Sequence, residues 1–260
     1  MKSVLSIAGT EPTGGAGIQA DLKTVEAHNL YGMSVITAVV AQNTLGVTAV
    51  QPVSPTLVGQ QIDCVFDDIR PDATIIGMLH NSEIIRTVAA RLRAHHADNI
   101  VLDPVMISSS GHDLLRPDAA KALVEELFPL CTLVTPNLAV AAALSGLHIA
   151  NKAQIDQAAP QTAPITQGAA LFQGGKRPPG TGHTLDADVP VHGLAAPLHN
   201  NPNTHGTGCT LSSAIACGLA QGFSLTDSVK RAKRYLTACI QFGLDLGHGS
   251  GPLQHKVDWE

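Results

Sequence analysis

The chain has 260 residues, 44% of them apolar and only 14% charged, which is enough to bury a sizeable core and excludes a disordered chain. A formal charge of −5 with no basic cluster excludes a general nucleic-acid binder. Five scattered cysteines without a Cys-x-x-Cys pair fit reduced thiols, and no apolar run reaches membrane-spanning length, so no membrane association and a cytoplasmic location are expected.

The first apolar stretch, Val4 to Ala8, is too short for a signal peptide and reads as a buried strand. It runs into a glycine-rich turn, Gly9 to Gly17, and then into a helical pattern from Ile18 to His28. Strand, glycine-rich loop and helix open a βαβ unit, although the loop is neither a P-loop nor a dinucleotide fingerprint. Met33 to Ala41 and Val47 to Val53 read as further strands. Ser54 as N-cap and Pro55 at the first helical position start a helix with Leu57, Ile62 and Val65 on its apolar face.

The alternation continues with a strand at Ala73 to Ile76, a helix from Ser82 to His95, a strand at Ile100 to Leu102, a helix from Pro117 to Leu127 and a strand at Thr132 to Thr135. A short helix to Leu144 follows. Beyond it, Ala169 to Phe172 reads as a strand, and Asp188 to His192 with Ala195 to His199 as an edge hairpin. A long amphipathic helix, Ser224 to Leu244, aligns Val229, Ala232, Leu236 and Ile240. The pattern predicts an α/β fold with a mostly parallel central sheet and helices on both faces, in one domain spanning residues 1–260. Ligands in such sheets collect at the carboxyl ends of the strands.

The stretch with the clearest chemistry is Asn203 to Ser213, NTHGTGCTLSS, ahead of an apolar helix. Gly206, Thr207 and Gly208 leave the first helix amides uncovered, which with the helix dipole makes an anion site. The other reading is a flexible loop capped by Thr207. Cys209 in the first turn is expected to have a lowered pKa and to act as a base; a small buried helix residue is the alternative. His205 adjoins the loop and is read as either a phosphate contact or a surface histidine. No zinc spacing of His and Cys is present.

The segments SIAGTEPTGGAGIQADLKT, YGMSVITAVVAQNT, IGML, VLDPVM, VTPN and NTHGTGCTLSSAIA, in that order, resemble the hydroxymethylpyrimidine/phosphomethylpyrimidine kinases of thiamin biosynthesis, which have a ribokinase-like fold. The resemblance covers nearly the whole chain. It implies phosphoryl transfer from ATP with Mg2+ to 4-amino-5-hydroxymethyl-2-methylpyrimidine and then to its monophosphate, in a homodimer. It also implies Cys209 as base, with Gly206 and Gly208 as amide donors. Gly9, Asp21, Gln42, Met78 and Val105 match the pyrimidine-binding positions. Asp103, Asn137, Thr207 and Gly174 match positions near the nucleotide and phosphates, with Asp103 also near the metal. Asp21 has a plain alternative, as a first-turn acid that complements the helix dipole.

Two positions depart from that pattern. Val140 stands where the family has a Glu that organises magnesium, and Gln173 stands where it has a Lys near the phosphates. Their loss predicts a slow kinase or one with altered nucleotide handling. A pyridoxal or pyridoxine kinase on the same scaffold, and a non-catalytic pyrimidine-binding protein, are the alternative functions.

Overall fold

The computed structural model describes residues 1–106, 115–116, 119–137, 140, 168–173, 183–186, 193–194, 201, 203–242 and 244–259. In chain order the elements are β1 Ser3–Gly9, α1 Gly17–Ala27, β2 Tyr31–Asn43, β3 Gly46–Pro52, α2 Pro55–Asp68, β4 Ala73–Ile76, α3 Ser82–Ala94 and β5 Ile100–Leu102. They continue with α4 Ala119–Ala122, β6 Leu133–Val134, β7 Ala169–Phe172, β8 His183–Asp186, β9 Gly193–Leu194, α5 Thr207–Ala220 and α6 Leu225–Phe242.

One sheet of nine strands takes them in the order β3-β2-β1-β4-β5-β6-β7-β8-β9. The pairs from β2 through β7 are parallel, while β3 on one edge and β8–β9 on the other are antiparallel. The mostly parallel sheet with helices on both faces therefore forms as the alternation implied. Successive side chains alternate between two cores. Leu5, Ile7, Ile76, Ile100 and Leu102 pack with α2, α3 and α4, whereas Val4, Ile75, Val101 and Leu171 pack with α5 and α6.

The chain leaves β1 toward β2 on one side and leaves β4 toward β5 on the other. The two adjacent strands thus form a topological switch point, where a crevice opens at their carboxyl ends.

Several local expectations shift. Ser54 does cap α2, accepting from the Leu57 amide at 3.3 Å, with Pro55 first in the helix. Its buried face, however, is Val58, Ile62 and Phe66, and Leu57 is 49% exposed. The helix expected to Leu127 widens into a π-turn over Leu123–Leu127 and tightens to 3-10 geometry over Phe128–Leu130. Pro129 has no N–H with which to continue an α-helix. An antiparallel edge pair does exist, but as His183–Asp186 with Gly193–Leu194. The two ranges expected for it lie outside the described residues, as does nearly all of the short helix to Leu144. No helix among the described residues is long and apolar enough to cross a membrane.

Candidate active site

The crevice at the β1/β4 switch point has an apolar wall. Ala38, Val40, Val47 and Met78 form a small cluster of their own, with Val50 and Val105 packed against it. Gly9 ends β1 beside it: a Cβ there would lie 3.1 Å from Met78 Sδ and 3.6 Å from Val40 Cγ2, so only glycine leaves that floor open. Thr37 Oγ1 donates to Met78 O at 2.6 Å, and the Thr10 amide donates to Ala38 O at 2.9 Å, which fixes the wall to β2. Gly9, Met78 and Val105, expected as ring-binding positions, are thus brought together. Val40 joins them and could have been suspected only from the alternation of β2.

Gln42 stands near the end of β2, its Nε2 3.4 Å from His205 Nε2. The carboxamide nitrogen can only donate, so His205 Nε2 accepts. His205 is 4% exposed, so the surface-histidine alternative is wrong. It is buried because the loop before α5 docks on the β1–α1 loop. His205 bridges to Pro252, and its amide donates to Gly251 O at 3.2 Å.

The anion loop has the conformation its glycines suggested. Gly206 caps α5 with φ 82°, a left-handed backbone that glycine adopts without strain. A Cβ there would run into Gly15 O. The Thr207 amide reaches Thr204 O at 3.4 Å and the Thr210 amide reaches Gly206 O at 2.9 Å. The amide of Gly208 finds no backbone partner among the described residues, which leaves it to an anion.

Asp103 follows β5 and faces this loop: a Cβ on Gly208 would lie 2.8 Å from its Oδ2. Burial, and then the nearby Asp21 charge, push its carboxyl up to about 7. Cys209 sits in the first turn as expected, but its thiol is pushed well above the ordinary range rather than lowered. Burial is the main cause and the charges of Asp21 and Asp103 add to it, outweighing the amides of Gly17 and Cys209 itself. The helix terminus is a partial charge, and burial together with two nearby carboxylates overcomes it.

Asp21 is not a first-turn acid. It lies in the second turn of α1, 2% exposed, and both oxygens are engaged: Ser6 Oγ donates at 2.6 Å and Ser213 Oγ at 2.8 Å. Its carboxylate ties α5 to β1, and burial raises its pKa to about 6. Asn137 is exposed, and its Oδ1 accepts from the Val140 amide at 3.0 Å. Gln173 pairs with Asn137 as an isolated parallel bridge, and its Nε2 donates to Thr135 O at 2.9 Å. Val140 is 2% exposed, an apolar contact where a metal-organising acid was expected by resemblance. Gly174 lies outside the described residues.

Sequence reasoning missed Glu11. It is 2% exposed and receives the amides of Thr13, Gly15 and Ala16 at 3.1, 2.6 and 3.2 Å and the Thr13 hydroxyl at 2.7 Å. Burial alone would raise its pKa, but these bonds and His205 bring it down to about 2. The signal was present, since an acid inside a glycine-rich turn is placed to collect amides.

The cleft therefore offers a flat apolar seat on one side, a loop of free amides on the other, and a carboxylate between. That division of labour is the one a ribokinase-like phosphotransferase with an alcohol acceptor requires. A phosphomethylpyrimidine kinase family model matches residues 11–254. The hydroxymethylpyrimidine/phosphomethylpyrimidine kinase of Rhizobium meliloti is 48% identical over 98% of this chain and 97% of its own. A phosphomethylpyrimidine kinase structure from Clostridium difficile superposes with TM-score 0.81 at 38% identity, covering 91% of this chain and 98% of that one. The Bacillus subtilis pyridoxal kinase, solved as an ADP complex, superposes with TM-score 0.91 at 34% identity over 99% and 98% of the two chains. The chain belongs to the phosphomethylpyrimidine kinase family.

Magnesium would accompany ATP in such an enzyme. Among the described residues no group of three or more His, Cys, Asp or Glu converges, so a cation here would lean on Asp103, phosphate oxygens and water. The buried carboxylate of Asp103 beside the anion loop fits that sparse set.

Proposed function

We propose that this chain phosphorylates 4-amino-5-hydroxymethyl-2-methylpyrimidine and then its monophosphate, using ATP and magnesium, as a cytoplasmic homodimer with one kinase domain. The observation that carries the proposal is the apolar wall of Val40, Met78 and Val105, with Gln42 two residues beyond Val40 on β2. An aminopyrimidine presents a donor and an acceptor on one edge, which a carboxamide can match. Its faces are apolar and fit the wall.

Gly206 to Cys209 supply the amides that hold the migrating phosphoryl group. Cys209 takes the proton from the hydroxymethyl oxygen as a thiolate, after losing its own proton to solvent, a loss that burial first and the charges of Asp21 and Asp103 second oppose. Asp103 would hold the magnesium that accompanies ATP, which would offset its charge and shield the charge spreading over the phosphoryl oxygens. Val140 and Gln173, in place of an acid and a base, make the enzyme slower than its relatives.

A pyridoxal kinase is the second reading, supported by the backbone likeness to the Bacillus subtilis enzyme. A coupled assay with the pyrimidine and with pyridoxal separates them. The pyrimidine is expected to be favoured by at least about tenfold in kcat/KM, since one missing buried hydrogen bond costs about that much. Preference for pyridoxal would replace the proposal. Binding of the pyrimidine without turnover would instead mark a non-catalytic binder.

A further inference from the structure

A second cavity lies at the far end of the two helices that follow the glycine loops. α1 and α5 begin at the cleft, at Gly17 and Thr207, and run away from it for 11 and 14 residues. At the rise of an α-helix those lengths are roughly 16 and 21 Å. Where the two helices end, His28, Asn29 and Gln221 meet Arg231 of α6 and the tail residues Asp258 and Trp259 around a space of about 550 Å³. That is the size of a small-molecule site, and no residue of the catalytic cleft is among those lining it.

Three kinds of chemistry converge there. Trp259 is half-buried, its ring 4.9 Å from that of His28 and 5.4 Å from that of Tyr235, which fixes the indole within an aromatic cluster. Arg231 Cζ lies 4.5 Å from the Phe223 ring centroid and 5.2 Å from that of Trp259. Such contacts engage the face of a guanidinium, whereas its five N–H donors lie in its plane and suit a phosphate. Asp258 is exposed and supplies a carboxylate that accepts N–H groups. The Gln221 amide is oriented as well. Its Nε2 donates to His28 O at 3.3 Å, and a backbone carbonyl can only accept, so Gln221 Oε1 is its acceptor end.

An aromatic seat, an anion-binding guanidinium and acceptors for N–H groups describe a planar ring that carries both an amino group and a phosphate. We infer that this cavity binds a phosphorylated, amino-bearing heteroaromatic ring, the chemistry shared by adenine nucleotides and a phosphorylated aminopyrimidine. The ring stacks on Trp259, the phosphate pairs with Arg231, and the amino group donates to Asp258 or Gln221. The cavity is linked to the cleft through α1 and α5, whose first turns follow the two glycine loops. It rests on its own side chains and holds whichever alcohol the cleft phosphorylates.

The chain contains a single tryptophan, so its fluorescence reports on this cavity. The test is a fluorescence titration of the full chain with AMP, with the pyrimidine monophosphate and with inorganic phosphate. At least one of the two ring phosphates is expected to quench Trp259 saturably, and the tighter of them names the source. Inorganic phosphate is expected not to quench. Arg231→Met, which keeps bulk but removes the charge, should raise Kd by at least about tenfold. Asp258→Ala should raise it a few-fold, and because Asp258 is exposed this variant keeps the test open if circular dichroism shows Arg231→Met unfolded. Asp103→Asn and Gln42→Leu, both in the cleft, should leave the titration unchanged. The inference fails if neither ring phosphate quenches, or if the folded cavity variants bind like the parent. It also fails if only the cleft variants lose the signal, since Trp259 would then be sensing the cleft. Equal quenching by inorganic phosphate would reduce the cavity to an anion contact and overturn it too.

Discussion

His205 Nε2 and Glu11 Oε2 lie 3.8 Å apart with both side chains almost wholly buried, and through them the two glycine loops of the cleft are locked face to face. A Cβ on Gly15 would lie 2.6 Å from His205 Cδ2, so the contact is close enough to exclude any side chain there. The loop after β1 and the loop before α5 are nearly two hundred residues apart in sequence, yet they form one structural unit. That unit sets where Gln42 and the α5 amides stand relative to each other.

Glu11→Gln is expected to cost stability at neutral pH, because its amide NH2 would oppose the amides of Gly15 and Ala16 that now donate to a carboxylate. The carboxyl is held at about 2, below its ordinary 4.5, so its contribution is fully present above about 4.5 and is lost as pH falls toward 2. The expected size is roughly 1–3 kcal/mol. Thermal melts of parent and variant from pH 7 to 3 should draw together toward the acid end. Parallel curves would mean that the carboxylate charge is not what stabilises the loop.

Gly206→Ala tests the second loop. The residue has φ 82°, and a Cβ would meet Gly15 O, so the substitution strains the backbone and pushes the loops apart. Stability should fall by about 1–3 kcal/mol. Displacement of the amides by even 1 Å should lower kcat by about a hundredfold. Gly222→Ala, also at positive φ but with open space around it, is the control and should leave kcat alone.

Much of this was legible in the sequence. The strands β1, β4, β5 and β7 were readable because each is a short apolar run closed by glycine or polar residues. The anion loop was readable because Gly206 and Gly208 precede an apolar helix. The charge state of Cys209 was not, because its burial, and the added charges of Asp21 and Asp103 from distant parts of the sequence, arise only in the fold. Asp21 misled for the same reason: Ser213, its partner, is 192 residues away. The face of α2 was misjudged at Leu57 because a helix that starts with Pro55 leaves its first turn outside the core.

Gln42→Leu should raise KM for the pyrimidine by about tenfold, the loss of one buried hydrogen bond, with a smaller change in kcat. KM for ATP should stay level if Gln42, which contacts His205, serves the ring alone. A fall confined to kcat would place Gln42 in the chemistry instead of in ring recognition.

Cys209→Ala should lower kcat by about a hundredfold if the sulfur receives the proton. Cys209→Ser, which keeps a weak acceptor in place, should recover part of it. Cys217→Ala, on the same helix but wholly buried, should alter stability and not kcat. Equal rates for Cys209→Ala and the parent would remove the thiol from the reaction and leave the α5 amides as its main contribution.

The last prediction concerns the tail. His255 is 5% exposed; its Nε2 lies 3.1 Å from Thr210 Oγ1 in the first turns of α5, and Tyr235 Oη donates to its carbonyl at 2.8 Å. Burial, helped by the Lys23 charge, pushes the imidazole down to about 4 from 6.5, so it is neutral in the fold at pH 7. A depressed folded value means that the stabilisation is complete above about 6.5 and is lost as pH falls toward 4, by roughly 2–3 kcal/mol in all. This window lies above that of Glu11, so the two can be told apart in one titration. His255→Asn keeps an acceptor for Thr210 but cannot take up a proton. It should flatten the stability curve between pH 6.5 and 4 and leave the steeper acid limb in place. If the variant still loses stability across that window, another group titrates there and the tail does not carry the effect.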